Sequence, residues 1–404
     1  DTTDFTYDLK EPIKIADQLL EVSYPEENIE GTLLACLLKT DYTFSLITKA
    51  HDKEVSEARL DAIDLDSFYE YYPRTVNTLS NLPLREEDTA VWLLSSSSGL
   101  KQLIYSNNGF VFDNLQPWSG VHYRETRSAF LQNMSFDTTG KDRNGSRDLF
   151  VEDYEEDAKR IAREFYFPKL RLPIGLKRIL LVKDVELSET PHNLLQSASG
   201  FIALSVCICN IHSVEWLERK LSNSEPAKGL SLAAYMPTEG GDLTLGMLHS
   251  TLQSFFDDYS VDVQTTVGKV RPLSSTINIL AMHGDSNISR THIVYQDQDT
   301  FLVNSRQVIG IGRILVLLVC YSGSATEAFQ RFEVASFVKP FLLSGYDAVV
   351  APSWALHIKI PPIWMPVFLK SLKTGEDVSS AVYKANLAVH QVYPTPSAWA
   401  CMHL

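Results

Sequence analysis

Thr276-Ile-Asn-Ile-Leu-Ala-Met282 runs directly into His283-Gly284-Asp285, and Arg313-Ile-Leu-Val-Leu-Leu-Val319 runs directly into Cys320-Tyr-Ser-Gly323. Both are near-continuous runs of β-branched residues and leucine, the pattern of strands buried on both faces of a parallel sheet. In such sheets functional side chains gather just beyond the carboxyl ends of the strands, where they face a crevice. If these two strands are neighbours, an imidazole and a thiol emerge side by side. The imidazole is then placed to take the thiol proton and later to protonate a leaving amine. Gly284 lets the backbone turn sharply and aim its N–H at a developing oxyanion, with the Cys320 N–H as the second donor. A helix expected to open near Ser324 and run through Glu327 to Leu343 would add its N-terminal dipole in favour of the thiolate. Either residue by itself is weak evidence, because strand-end Cys and His are commonly core or structural residues. Two reactive strand ends together carry the reading.

Working outward, the chain alternates strands and helices, which argues for a mostly parallel α/β sheet flanked by helices. Further strands are predicted at Arg178 to Val182, Ala203 to Ile208, Ser231 to Tyr235 and Ala348 to Pro352. Helices are predicted at Ser213 to Leu221, Leu245 to Phe256, Pro366 to Leu372 and Val378 to Val389, and a hairpin over Thr291 to Asn304. Upstream, residues 1–85 carry helix-like apolar spacing, as in Ile13, Ile15, Ala16, Leu19 and Leu20, and read as a helical appendage for regulation or docking. Residues 86–170 open with β-rich pieces at Ala90 to Leu94 and Leu103 to Tyr105, then pass through a polar, glycine-containing loop near 133–148. That loop reads as mobile surface, with proteolytic processing as the sharper alternative. Residues 171–404 form the catalytic part of this division.

Composition narrows the function classes. With 404 residues, 45% of them hydrophobic, the chain can build a large core. A formal net charge of −14 opposes binding to a phosphate backbone, so nucleic acid is not an expected partner. The longest apolar runs, Ile314 to Val319 and Phe201 to Cys209, are far short of the ~20 residues of a membrane-spanning helix. The five cysteines are odd in number and irregularly spaced, which points to a reducing compartment, with the cytoplasm as the default. The start at Asp1, with no Met and no secretion signal, reads as a processed fragment. Cys207-Ile-Cys209 with His212 hints at metal-ligand spacing, but no second ligand pair follows, so no metal and no organic cofactor is expected. Gly310-Ile-Gly312 precedes its strand, where a dinucleotide fingerprint would follow one, and reads as a turn.

His283-Gly284 and Leu317-Leu-Val-Cys320-Tyr-Ser-Gly323 resemble the active-site strands of CHAT proteases, caspase and separase relatives often attached to tetratricopeptide repeats. Three landmarks agree in order: Arg178-Ile-Leu-Leu-Val182 with the Leu187 to Pro191 turn, Gly345 to Trp354, and the closing Pro396-Ser-Ala-Trp399-Ala400, expected as a strand. The resemblance implies a caspase-hemoglobinase-like sheet with a His283–Cys320 dyad and an oxyanion hole from Gly284 and Cys320. It also implies a substrate strand laid beside Ser353, Trp354, Ala355 and Leu356, with Ser322 as a further substrate-binding residue and the residue to be cleaved after in a pocket beside Cys320 and Trp354. Separase-type relatives that cut after Arg carry an acidic residue shortly after this Trp, whereas here Leu356-His357-Ile358-Lys359 stands in that place, which argues against strict Arg or Lys specificity. Asp285 is a candidate to orient His283. The implied function is a cysteine endopeptidase acting on a protein substrate, held inactive until a protein partner or upstream sensor activates it, with antiviral defence among the family's settings. The alternatives are a catalytically silent caspase-fold scaffold or binding protein, and a different thiol enzyme such as an acyl transferase.

Overall fold

The computed structural model describes residues 10–42, 77, 87–106, 109–115, 156, 159, 169–184, 187, 190–211, 217, 229–267, 271–284, 291–296, 299–304, 312–320, 322, 325–328, 333–336, 338, 341–342 and 345–404. The N-terminal helices are α1 (Lys10–Ser23) and α2 (Ile29–Leu37), followed by strands β1 (Asp88–Ser96), β2 (Gly99–Ser106), β3 (Gly109–Asn114) and β4 (Arg178–Lys183). A short hairpin of β5 (Gln196–Ser197) and β6 (Gly200–Phe201) leads to β7 (Cys207–Ile211). The second half holds β8 (Leu232–Tyr235), α3 (Leu243–Asp258), β9 (Asp262–Gln264), β10 (Ile277–Met282) and the hairpin β11 (Thr291–Gln296) to β12 (Asp299–Asn304). It continues through β13 (Ile314–Val319), β14 (Ala325–Ala328), β15 (Glu333–Ser336) and β16 (Ala348–Pro352). Helices α4 (Pro361–Lys373), α5 (Val378–Val392) and α6 (Pro396–Trp399) precede the last strand, β17 (Met402–His403).

Two sheets result. The first has the order β3-β2-β1-β4-β7 and the second β17-β16-β13-β10-β8-β9. In the second, neighbours are parallel except β17, which runs antiparallel to β16. The strands predicted around residues 178 and 203 therefore belong to a sheet of their own with β1 to β3. The fold is the expected α/β class, with mostly parallel strands between helices.

Alternation along each strand explains how these sheets are held. In the central strands, Ile277, Ile279, Ala281, Ile314, Val316 and Leu318 pack into a core shared with Leu248, Leu252 and Phe255 of α3 and Trp364 and Phe368 of α4. The intervening Leu280, Met282, Leu315, Leu317 and Val319 pack the other way, against Phe341, Leu342 and Tyr346. Because successive side chains point to opposite faces, strands apolar on both faces, with only Asn278 polar among these and bonded to the Tyr346 hydroxyl, suit a two-faced core. Each fully buried Leu or Ile contributes roughly 1.5–3 kcal/mol, which makes β10 and β13 stiff supports for whatever stands at their ends.

The first sheet repeats the logic. Ala90, Trp92 and Leu94 of β1 pack with Ala16 and Leu20 of α1, with Tyr24 just beyond it, and with Leu33 and Cys36 of α2. Val91 and Leu93 turn to the large core shared with the second sheet. The helical segment is thus pinned to β1 and β2, and Tyr24 Oη donates to the Gln102 carbonyl at 2.8 Å. Lys39, with no exposed side-chain surface, reaches the Ser95 carbonyl, Asp17 at 2.6 Å and Asp184 at 3.4 Å.

Several expected elements differ. Residues 325–328 and 333–336 pair as an antiparallel hairpin, Ala325 opposite Ser336, where a helix over Glu327 to Leu343 was predicted. Thr326 and Val334 are β-branched and suit a strand, while the Ala and Glu residues around them favour a helix, so the local pattern is mixed. The strand predicted over Ala203 to Ile208 begins at Cys207, because Ile202 to Leu204 wind into a 3₁₀ turn. Pro396–Trp399 form α6 and not a strand, and strand pairing resumes at Met402–His403. A proline at the first helical position is already set for a helix. Helix α4 starts earlier than predicted, at Pro361-Pro362, and carries Pro366 inside it. The segment Ser213 to Leu221, apart from Leu217, and the 133–148 loop lie outside the described residues.

Candidate active site

The register of the central strands builds the site. β10 and β13 are adjacent and parallel, with Met282 opposite Val319. Their next residues are His283 and Cys320. Ile277, Ile279 and Ala281, and likewise Ile314, Val316 and Leu318, face the α3–α4 layer. Extending that alternation by one residue puts His283 and Cys320 on the same face.

The partners of both side chains agree with that face. His283 Nε2 lies 2.8 Å from Asp242 Oδ2, and Asp242 is the N-cap of α3. Its other carboxylate oxygen accepts the Leu245 N–H at 2.8 Å. The Cys320 sulfur accepts the Leu356 N–H at 3.4 Å. Both residues are partly exposed. Burial pushes the Cys320 thiol above its ordinary value, while the Leu356 N–H and its own N–H pull it partly back. A thiol so placed is protonated at neutral pH and needs a base to become a nucleophile. Among the described residues no helix begins beside Cys320, where Ala325–Ala328 form a strand, and the donors that favour the thiolate are the Leu356 N–H and its own N–H.

Gly284 is required by space. A Cβ added there would sit 1.9 Å from the Cys320 carbonyl oxygen, 2.9 Å from its carbonyl carbon and 3.1 Å from Val319 Cγ1. The two strand ends therefore touch through backbone just past the His and at the Cys. Ser322 is buried, its N–H donates to the Val319 carbonyl at 3.2 Å, and its hydroxyl has no hydrogen-bond partner among the described residues.

The segment leaving β16 crosses toward the thiol. Ser353 N–H donates to the Cys401 carbonyl at 3.1 Å. Trp354 is fully buried and its indole N–H donates to the Ser397 carbonyl at 2.8 Å. Ala355 is buried too, whereas Leu356 is half-buried and is the residue of this segment that reaches the sulfur. Trp354 thus acts here as an anchor for the segment.

Against Trp354 lies a second titratable cluster. The His403 ring is 5.9 Å from the Trp354 ring, and His403 Nδ1 is 3.3 Å from His192 Nε2. Burial pushes His403 down to about 3 and holds His192 well below its ordinary value. Lys183 donates to the Thr190 carbonyl at 2.7 Å, and burial lowers its ammonium to about 7. Elsewhere, burial raises the Cys207 and Cys209 thiols to about 11 and about 12. His212, the third residue of that sequence cluster, lies outside the described residues, as does Asp285. Among the described residues no group of three or more His, Cys, Asp or Glu could hold a metal ion. No described helix is long and apolar enough to cross a membrane.

Asp242 was missed in the sequence. It follows Gly240-Gly241 in a stretch that reads as a plain loop, yet β8 pairs with β10 with Tyr235 opposite Leu280. The signal was there: a polar residue opening a helix just past a third neighbouring strand end.

No protein-family model matches the chain, and no curated protein matches it in sequence. Among solved structures, the fold is similar to a chain of the Saccharomyces cerevisiae separase–securin complex, with a TM-score of 0.61 and 13% sequence identity. The likeness covers 100% of this chain and 36% of that one, so this chain spans about a third of its length. At that identity the likeness is one of fold: a caspase-like α/β architecture.

Proposed function

We infer that this chain is a cysteine endopeptidase of the caspase and separase type, with Cys320 as nucleophile and His283 as general base and acid. The observation that carries the reading is the parallel pairing of β10 with β13, which brings the two strand ends together on one sheet face. In this reading the thiol proton passes to His283, sulfur attacks the scissile carbonyl, and the N–H groups of Gly284 and Cys320 receive the oxyanion. The imidazolium then protonates the leaving amine, and water, activated by the same imidazole, hydrolyses the thioester. The substrate is an extended peptide laid beside Ser353 to Leu356, with Ser322 near the nucleophile.

The thiol held protonated by burial, with Leu356 donating to it, describes a resting enzyme. Activation then consists of a protein partner or upstream sensor moving residues 353–356 to admit the substrate. That the similar solved structure is itself a complex, separase–securin, suits control by a protein partner. The CHAT assignment and a role in antiviral defence come from the sequence resemblance, and a cytoplasmic setting from the cysteine pattern. The same covered thiol is what a catalytically silent scaffold would show, so the test must separate the two. Wild type and Cys320→Ala are incubated with a whole proteome and a candidate activator, and new protein N-termini are sequenced. Termini made only by the wild type support the peptidase; identical sets from both proteins refute it in favour of the scaffold.

A further inference from the structure

The geometry points to Asp242 as a positioning residue for the proposed peptidase: its Oδ2 holds the proton of His283 on Nε2, leaving Nδ1 as the base that meets the thiol. The inference rests on the dyad reading above. His283 Nε2 and Asp242 Oδ2 are 2.8 Å apart, and a carboxylate oxygen only accepts, so the hydrogen between them sits on nitrogen. Proton exchange with Cys320 then falls to Nδ1. In that step the S–H bond breaks, sulfur keeps the electron pair, and an Nδ1–H bond forms. The resulting imidazolium still donates from Nε2 to Asp242, whose negative charge stabilises it.

Asp242 is itself held. Its Oδ1 accepts the Leu245 N–H at 2.8 Å as the N-cap of α3, a helix whose Leu245, Leu248, Leu252, Phe255 and Phe256 are buried. One carboxylate thus uses its first oxygen to fix its own place on a packed helix and its second to fix the imidazole. Asp242 and His283 are 11% and 27% exposed, so the pair is sheltered enough for its geometry to persist. The contact is made by the Asp242 side chain, and that makes the idea testable by substitution.

Asp242→Asn keeps the shape and the cap but can turn its amide NH₂ to Nε2, which forces the ring proton onto Nδ1 and blocks the thiol transfer. Asp242→Ser keeps the cap but is too short to reach the ring. The readouts are the ring-nitrogen NMR shifts of ¹⁵N-histidine-labelled protein, with His283 identified through His283→Gln, and the rate at which iodoacetamide alkylates Cys320, mapped by mass spectrometry. Where cleavage is measurable, kcat and KM are added. Wild type is expected to show the Nε2–H tautomer. Asp242→Asn is expected to show the Nδ1–H tautomer and Asp242→Ser a mixture of the two, both are expected to alkylate at least about 10-fold more slowly at neutral pH, and both to lose kcat about 100-fold or more with KM within about threefold. Their thermal midpoints should match the wild type, since the cap is kept. An Nδ1–H tautomer in the wild type, or an Asn or Ser variant with wild-type tautomer and alkylation rate, overturns the inference. If alkylation depends on Asp242 but no protein is cut, the positioning role stands and the peptidase reading falls.

Discussion

Gly284→Ala is the substitution whose consequence can be worked most directly from the structure. The glycine does not have a positive φ, so alanine meets no conformational penalty there, and the whole effect comes from space. The added Cβ would lie 1.9 Å from the Cys320 carbonyl oxygen, where real Cβ contacts are essentially never under 3.0 Å. The strand ends must therefore part by about 1.1 Å. The obstacle is backbone, flanked by the fully buried Val319, so no flexible side chain can swing aside. Overpacking of this kind costs about 1–3 kcal/mol. A displacement of about 1 Å between nucleophile and base costs on the order of 100-fold in rate. The assay pairs denaturant unfolding with Cys320 alkylation and, with an activator present, cleavage. Gly246→Ala in α3 is the control of opposite sign: nothing lies within 4 Å of its added Cβ, so it should stabilise by about 0.5–1 kcal/mol. A Gly284→Ala protein with wild-type unfolding and wild-type rates would refute the claim that residue 284 and Cys320 are in backbone contact.

Two further outcomes concern stability. Lys39 sits fully buried between Asp17, Asp184 and the Ser95 carbonyl, so Lys39→Met leaves the buried Asp184 carboxylate with its cationic partner removed. A loss of about 3–5 kcal/mol is expected, with hydrogen exchange in residues 10–42 rising first; unchanged exchange there would count against the pinning of α1 and α2 to the first sheet. The His192–His403 pair makes stability depend on pH. Both folded-state values lie below the ordinary 6.5, so the unfolded chain binds protons first as pH falls. Stability is whole above about 6.5 and is lost toward about 3, with His403 alone contributing a loss of about 2 kcal/mol by pH 5. Urea unfolding at pH 7.5 and 5 checks this: a flat result contradicts the burial of the pair, and His403→Phe should reduce the slope.

What the sequence by itself determined is whatever periodicity and local chemistry can encode. Runs such as Ile314–Val319, apolar at every position, and Ile277–Met282, apolar at all but Asn278, declare themselves as buried strands, and β16 was legible from end to end for the same reason. The placement of His283 and Cys320 at two strand ends was legible because each follows such a run directly. The parts that were not legible depend on who lies next to whom. Nothing local says that β4 and β7 join β1 in a separate sheet, since a buried parallel strand looks the same in either one. The hairpin at 325–328 and 333–336 was read as a helix because short mixed segments carry no decisive period. Trp354 was legible as the residue that closes a strand, but not the bond its indole N–H makes to the Ser397 carbonyl, 43 residues away. Asp242 is the sharpest case. Its role at the end of a helix is local and visible in sequence, but its role beside His283 exists only because β8 lies against β10. A strand's own residues set its burial; only the order of strands in the sheet sets which side chains meet at its edge.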